Sequence, residues 1–165
     1  MKRDDYPLLA KSLPSRIKAI WLVDEILGFI VLTTIILVAW ILSTYFFHLS
    51  WLNLIGIILL GLVLIALILG VLLIPYRFKF SRYEINETEI AIQKGFIFRE
   101  TTFVPIVRIQ HVEIEQGPLL RWQKLAALKI HTAATTHELA GLRLTEANDL
   151  RQKIINLLRV VNEDV

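Results

Sequence analysis

The side chains of this chain that could do more than pack are mainly histidines and carboxylates. His111 and His131 lie on two β-prone stretches that could pair, both on the face expected to be exposed. Glu113, Glu115 and His137 are close by in sequence. Two imidazoles and one carboxylate are a recognised donor set for a divalent transition metal. The histidine spacing matches no compact ligand motif, however, and polar cross-strand pairs are ordinary on a solvated sheet face. The plainer reading is preferred, and no metal is expected. Asp24 and Glu25 form a second acidic pair, next to a long apolar run. As an intramembrane site they could carry a proton or an ion. At headgroup level they would simply pair with Arg16, Lys18 or the basic segment near residue 80. The second reading is favoured, because an Asp at the bilayer centre costs about 2.5–3.5 kcal/mol on the insertion scale.

Enzyme motifs are missing from the sequence. It contains no Gly-x-Ser-x-Gly, no His-Glu-x-x-His and no glycine-rich phosphate loop, and only 7 glycines in 165 residues. With no cysteine, disulfides, thiolate nucleophiles and cysteine-ligated zinc or iron–sulfur centres are excluded. No catalytic residue and no cofactor is therefore expected. The net charge of +3 does not point to nucleic acid, since the basic residues are not gathered into one cluster with interleaved aromatics.

The elements that must position these residues begin with two apolar runs, Ile26–Phe47 and Trp51–Ile74, separated by His48, Leu49 and Ser50 and free of charge. At about 1.5 Å per residue each reaches roughly 33–36 Å, enough for a bilayer core of about 30 Å. Backbone groups in lipid must be paired within the segment, so both runs should be helices, antiparallel because the link is short. The first run is too long for the core of a signal peptide and lacks a small-x-small exit, so it reads as a retained anchor. The layout expected is an interfacial segment over residues 1–20, a transmembrane hairpin over 21–74 with spans of about 22–47 and 51–74, and a soluble domain over 75–165. Lys2, Arg3, Lys11, Arg16 and Lys18 precede the hairpin and Arg77, Lys79 and Arg82 follow it, whereas the link has no Lys or Arg. The positive-inside rule then places both termini in the cytoplasm. Pro14-Ser15 is expected to start a short interfacial helix, with Ile17, Ile20 and Trp21 against lipid. Tyr45 and Trp51 suit an outer aromatic belt. Ala39/Ser43 and Ala66/Gly70 are small-xxx-small pairs that let helices approach closely. No charged or histidine residue lies deep in either span, which argues against a transporter or proton pump.

Pro75 should end the second span, and the period then changes to two. Arg77–Tyr83, Glu89–Lys94, Phe96–Val104, Ile109–Gln116, Ala127–Ala134 and Glu138–Leu144 read as strands, with a turn at Asn86-Glu87-Thr88 and a helical turn over Leu119–Lys124. Thr145 is a suitable N-cap for a terminal helix with Leu150, Ile154, Leu157, Leu158 and Val161 as its apolar stripe. The fold class expected is a membrane α-helical hairpin plus a β-rich domain: a bent antiparallel sheet or barrel capped by that helix. Two surfaces could contact something else. Arg77 and Lys79, next to the membrane, could meet anionic headgroups. Leu119, Leu120, Arg121 and Trp122, after Gly117-Pro118, could hold a partner or insert at the membrane surface. The plainer reading is a loop whose Leu and Trp close the barrel.

The stretch Pro105-Ile-Val-Arg-Ile-Gln-His-Val-Glu-Ile-Glu-Gln-Gly-Pro-Leu-Leu-Arg-Trp122, followed by Leu128-Lys-Ile-His-Thr-Ala133, resembles the membrane-flanked bacterial PH-like domain family. The whole layout looks like its short YdbS-like members. The resemblance implies a pleckstrin-homology-like fold of seven strands and a terminal helix, so a seventh strand is expected near Pro105–Arg108. It also implies residence in a bacterial plasma membrane, pairing with itself or with a larger membrane protein bearing several such domains, and a link to envelope stress or antimicrobial-peptide resistance. The first β-turn, Asn86-Glu87-Thr88, lacks a basic cluster, so phosphoinositide binding is not expected. Beside this non-enzymatic interaction protein stands one alternative, a lipid-handling transporter or enzyme component using the sheet face and the hairpin.

Overall fold

The computed structural model describes residues 8–47, 50–95 and 99–163. Its elements, in chain order, are β1 (Lys11–Ser12), α1 (Ile17–Phe47), α2 (Ser50–Phe80), β2 (Arg82–Ile85), β3 (Glu89–Gly95), β4 (Arg99–Pro105), a 3₁₀ turn (Ile106–Arg108), β5 (Ile109–Glu115), α3 (Pro118–Trp122), β6 (Leu125–Thr132), β7 (Thr136–Arg143) and α4 (Leu144–Glu163). They form two compact units, Trp21–Pro75 and the flanking segments Met1–Ile20 with Tyr76–Val165.

In the first unit α1 and α2 are both long and apolar enough to cross a membrane. Away from Lys18, Asp24 and Glu25 near the start of α1 and Arg77 and Lys79 at the end of α2, their side chains are mostly apolar and open to the surroundings, with Ile41 66% and Leu72 65% exposed, a pattern that water does not tolerate and lipid does. The helices run antiparallel, Trp40 meeting Asn53 and Gly56 while Glu25 meets Gly70. The expected turn at His48 lies outside the described residues.

The second unit holds two antiparallel sheets, ordered β1-β2-β3-β4 and β5-β6-β7, and α4 packs on the second sheet and on the 3₁₀ turn. Tyr83, Ile90, Ile92, Val104 and Ile106 from the first half and Leu125, Leu128, Ile130 and Leu142 from the second are buried, together with Ala147, Leu150 and Ile154 of α4. This is the two-sheet, one-helix arrangement of a PH-like domain. α4 follows β7 without a break, so Thr145 lies inside the helix instead of capping it. Leu157 and Leu158 of the expected stripe are half-buried. β6 starts at Leu125, two residues before the alternation shows, because Leu125 and Ala126 are both buried. Phe96–Phe98, expected to open β4, lie outside the described residues.

The seventh strand is not near Pro105–Arg108, where the chain makes a 3₁₀ turn. It is β1, before the hairpin, where Lys11 pairs with Tyr83 and Ser12 with Arg82. Arg82 also donates from Nη1 to the Leu9 carbonyl at 3.0 Å. Two residues carry no period, so such a strand has no signature in sequence. Ile17, expected against lipid, is instead 2% exposed and seated against Gly141 of β7. At Gly141 the pairing with β6 breaks register, and φ is +92°. The extra residue and the missing Cβ together open the seat, because a Cβ there would come within 2.7 Å of Ile17 Cδ1.

Pro75 does not end α2. The helix continues to Phe80, so Arg77 and Lys79 sit on its last turn, and the strand expected from Arg77 begins only at Arg82. Two features favour the continuation. Tyr76 and Phe80, four residues apart, pack ring against ring at 4.7 Å, and Lys18 Nζ lies 4.1 Å from the Phe78 ring centroid. The end is then closed by side chains: Ser81 Oγ donates to the Arg77 carbonyl at 2.8 Å and Arg82 Nε to that of Lys79 at 3.1 Å.

Between core and terminal helix, Tyr83 Oη donates to Glu146 Oε1 at 2.5 Å. Burial, then the hydrogen bond to Glu146, then the charge of Glu146 push the Tyr83 hydroxyl well above its ordinary value of 10.0.

Gly141→Ala should cost about 2 kcal/mol, from positive φ and from overpacking Ile17. Ile17→Ala should cost less in that background than alone, as thermal unfolding of the four proteins in detergent would read. Folded Tyr83 holds its proton more tightly than unfolded Tyr83. Its contribution is therefore complete below pH 10 and declines as pH rises beyond it, through the raised folded value. Tyr83→Phe should be less stable at neutral pH but show a shallower alkaline loss in pH-dependent unfolding.

Candidate functional site

The outer face of β5-β6-β7 carries a set of polar side chains. The register forms two rows across it, His111, His131 and Thr136, then Glu113, Lys129 and Glu138. A break between Ile109 and His111 makes the first row possible. Residues i and i+2 of an unbroken strand share a face. Here the extra residue lets Ile109 stay buried against the core opposite Thr132, while His111 turns outward opposite His131.

His111 and His131 stack with centroids 4.1 Å apart and planes 10° apart. The His131 ring is held at both nitrogens, Nε2 lying 3.0 Å from Glu113 Oε1 and Nδ1 3.0 Å from Thr136 Oγ1. Lys129 is ion-paired with Glu115. Its ammonium pKa is raised, first by the hydrogen bond to Glu115, against a desolvation that lowers it, and then by the charges of Glu115, Glu138 and Glu113. The structure thus joins His111, His131 and Glu113, whose donor atoms all lie within 4.8 Å of one another. Glu115 is not in the group because Lys129 holds it. His137 is not either: it pairs with Ile130, on the opposite face, and its Nε2 meets Thr135 Oγ1 at 2.9 Å.

The segment after Gly117 folds as the short helix α3 with Pro118 at its start, where a missing N–H is harmless. Leu119 and Leu120 are half-buried; Arg121 and Trp122 face outward, Trp122 62% exposed. Lys124, with φ 57°, reverses the chain into β6.

In the hairpin, Gly70 is packed against the Glu25 carboxylate, where a Cβ would meet Oε2 at 2.6 Å. Ala39 and Ala66 are exposed, and Ser43 Oγ donates within its own helix, to the Trp40 carbonyl at 2.8 Å. A second approach, equally close, involves a ring. Trp40 lies over buried Gly56, where a Cβ would be 2.6 Å from Cδ2, and its Nε1 donates to Asn53 Oδ1 at 2.9 Å. In sequence, Asn53 and Gly56 are unusual residues for a span, whereas nothing marks Trp40 out from the apolar side chains around it. Asp24 is exposed, and with Glu25 it borders a cleft of about 320 Å³ that also involves Gly28 and Ala66.

The profile of a family described as "Bacterial PH domain" matches residues 12–158, from the end of β1 through the hairpin into α4. The chain belongs to the bacterial PH domain family. A relative, the UPF0699 transmembrane protein YdbS of Bacillus subtilis (strain 168), is 48% identical over 89 residues. That alignment covers 54% of this chain and 56% of the relative, so the chain spans little more than half the relative's length. No solved structure matches significantly. This bacterial PH domain protein is thus a membrane protein, and its β-domain is assembled from both sides of the hairpin.

An interhelical hydrogen bond in a bilayer is worth about 0.6 kcal/mol on average and up to about 1.7. Asn53→Leu should weaken the hairpin by about that much. Gly56→Leu, which must displace the Trp40 ring, should weaken it more, as read by unfolding of the reconstituted protein in lipid bicelles.

Proposed function

We propose that this protein is a non-enzymatic membrane scaffold. Its two helices cross the membrane as a hairpin, and its PH-like domain is presented on the cytoplasmic face as a docking module for a second PH-bearing chain, either another copy or a related membrane subunit. The observation that carries the reading is Trp122, facing outward on the short helix α3 with Arg121 beside it. Aromatic and arginine side chains together are the residues most enriched at interface anchors. Val107, 66% exposed in the turn between β4 and β5, adds apolar surface to the same domain.

Cytoplasmic placement is supported by the basic residues Lys11, Arg16, Lys18, Arg77, Lys79 and Arg82 on both flanks of the hairpin. Arg77 and Lys79, on the last turn of α2, also complement the negative end of that helix and suit anionic headgroups. The family resemblance extends the reading to envelope stress and resistance to membrane-active peptides.

The natural absence of cysteine makes a single substitution informative. Arg121→Cys should resist a membrane-impermeant maleimide in intact cells and react after permeabilisation. A short bis-maleimide added to native membranes should join it to a second PH-bearing chain. Labelling in intact cells would refute the orientation, and a solely monomeric band would refute the docking role.

A further inference from the structure

We propose that His111, Glu113 and His131 form a binding site for one divalent transition-metal ion of zinc-like character, independent of the docking role proposed for α3. The donor set is two imidazoles and a carboxylate, which suits Zn²⁺, Ni²⁺ or Cu²⁺ better than Mg²⁺ or Ca²⁺. Their donor atoms lie within 4.8 Å of one another, and His131 Nε2 and Glu113 Oε1 are already 3.0 Å apart. In a tetrahedral zinc site with bonds of about 2.0–2.1 Å, neighbouring donors are about 3.3 Å apart, so this edge is nearly formed.

The support around His131 is that of a metal ligand. Its Nδ1 is bound by Thr136 Oγ1 at 3.0 Å, which fixes the ring and leaves Nε2 as the coordinating atom. A hydroxyl can donate or accept. Without metal, Nε2–H can donate to Glu113 while Nδ1 accepts from Thr136. With metal, the proton resides on Nδ1 and is donated to Thr136 Oγ1, while the Nε2 lone pair faces the ion. No residue need be displaced for that exchange. His111 is exposed, and among the described residues no hydrogen bond holds its ring, so it can turn out of the 4.1 Å stack to bring a nitrogen to the ion. The ammonium of Lys129, the nearest cation in the neighbouring row, is drawn away by Glu115.

The bulge before His111 is the second structural sign. It lifts one residue out of the inward phase of Ile109 and sets it directly opposite His131. Bulges recur where a strand must re-aim a side chain.

The test is calorimetric titration of the untagged full-length protein in detergent with ZnCl₂, followed by Co²⁺ titration watched by visible absorption. One ion per chain is expected, with Co²⁺ giving the bands of a low-coordinate nitrogen–oxygen site. His131→Ala should lower affinity at least tenfold. Thr136→Val, which touches no metal, should lower it about tenfold through lost orientation. His131 is half-buried and Thr136 exposed, so circular dichroism of both variants should match the wild type. Equal zinc affinity in wild type and His131→Ala, or no binding by the wild type at millimolar zinc, would overturn the assignment.

Discussion

The pairing of Ser12 with Arg82 constrains the whole molecule. It makes neighbours of two residues separated in sequence by both long apolar helices. Whatever path the chain takes between them must return to its starting point. If it enters a bilayer it must cross an even number of times, and two antiparallel helices of this length are the smallest solution. The pairing also means that the β-domain is incomplete until the hairpin has been made. Residues 8–20 supply its edge strand and the Ile17 side chain that fills the seat at Gly141. The hairpin is thus an insertion in the PH-like domain, and not merely an anchor in front of it.

This arrangement explains why Met1–Ile20 groups with Tyr76–Val165 although 55 residues of apolar chain intervene. Leu9, Leu13 and Ile17 are buried, at a spacing of four, across a segment that contains a two-residue strand and a helix start. Arg82 ties the same segment through the Leu9 carbonyl, while its Nε closes the end of α2 at Lys79. One guanidinium therefore satisfies backbone carbonyls on both sides of the point where the chain re-enters the domain.

Much of this was legible in the sequence for physical reasons, and the failures have equally specific ones. Two uncharged runs longer than a bilayer is thick can be little else than helices, and strands β3, β5 and β7 show their alternation plainly. Around Pro75 the residue pattern suits both a strand and a helix. Phe78 and Phe80 alternate with Arg77 and Lys79 like a strand, yet Tyr76 and Phe80 are also i,i+4 neighbours, and the ring contact decides for helix. The sequence places Ile17 against lipid because nothing in it distinguishes an isoleucine buried in lipid from one buried in protein. Contacts made across 124 positions, such as Ile17 with Gly141, leave no local period to read.

The polar face of β5-β6-β7 shows the same division between what spacing reveals and what register decides. Alternation put His111, Glu113 and Glu115 on one face of β5, and Lys129 and His131 on one face of β6. Which carboxylate meets which base is set by the pairing and the twist. Directly opposite one another stand His111 and His131, then Glu113 and Lys129. The polar contacts, however, run along the diagonal, Glu113 to His131 and Glu115 to Lys129. Both follow the same offset, as expected where a right-handed twist brings one diagonal closer than the other. The strong cation takes the outer carboxylate, and Glu113 is left to the imidazole. Had the register lacked the extra residue before His111, Gln110 would have stood opposite His131 and the two rings would lie on opposite faces. A single inserted residue therefore decides whether the two histidines can share any ligand at all.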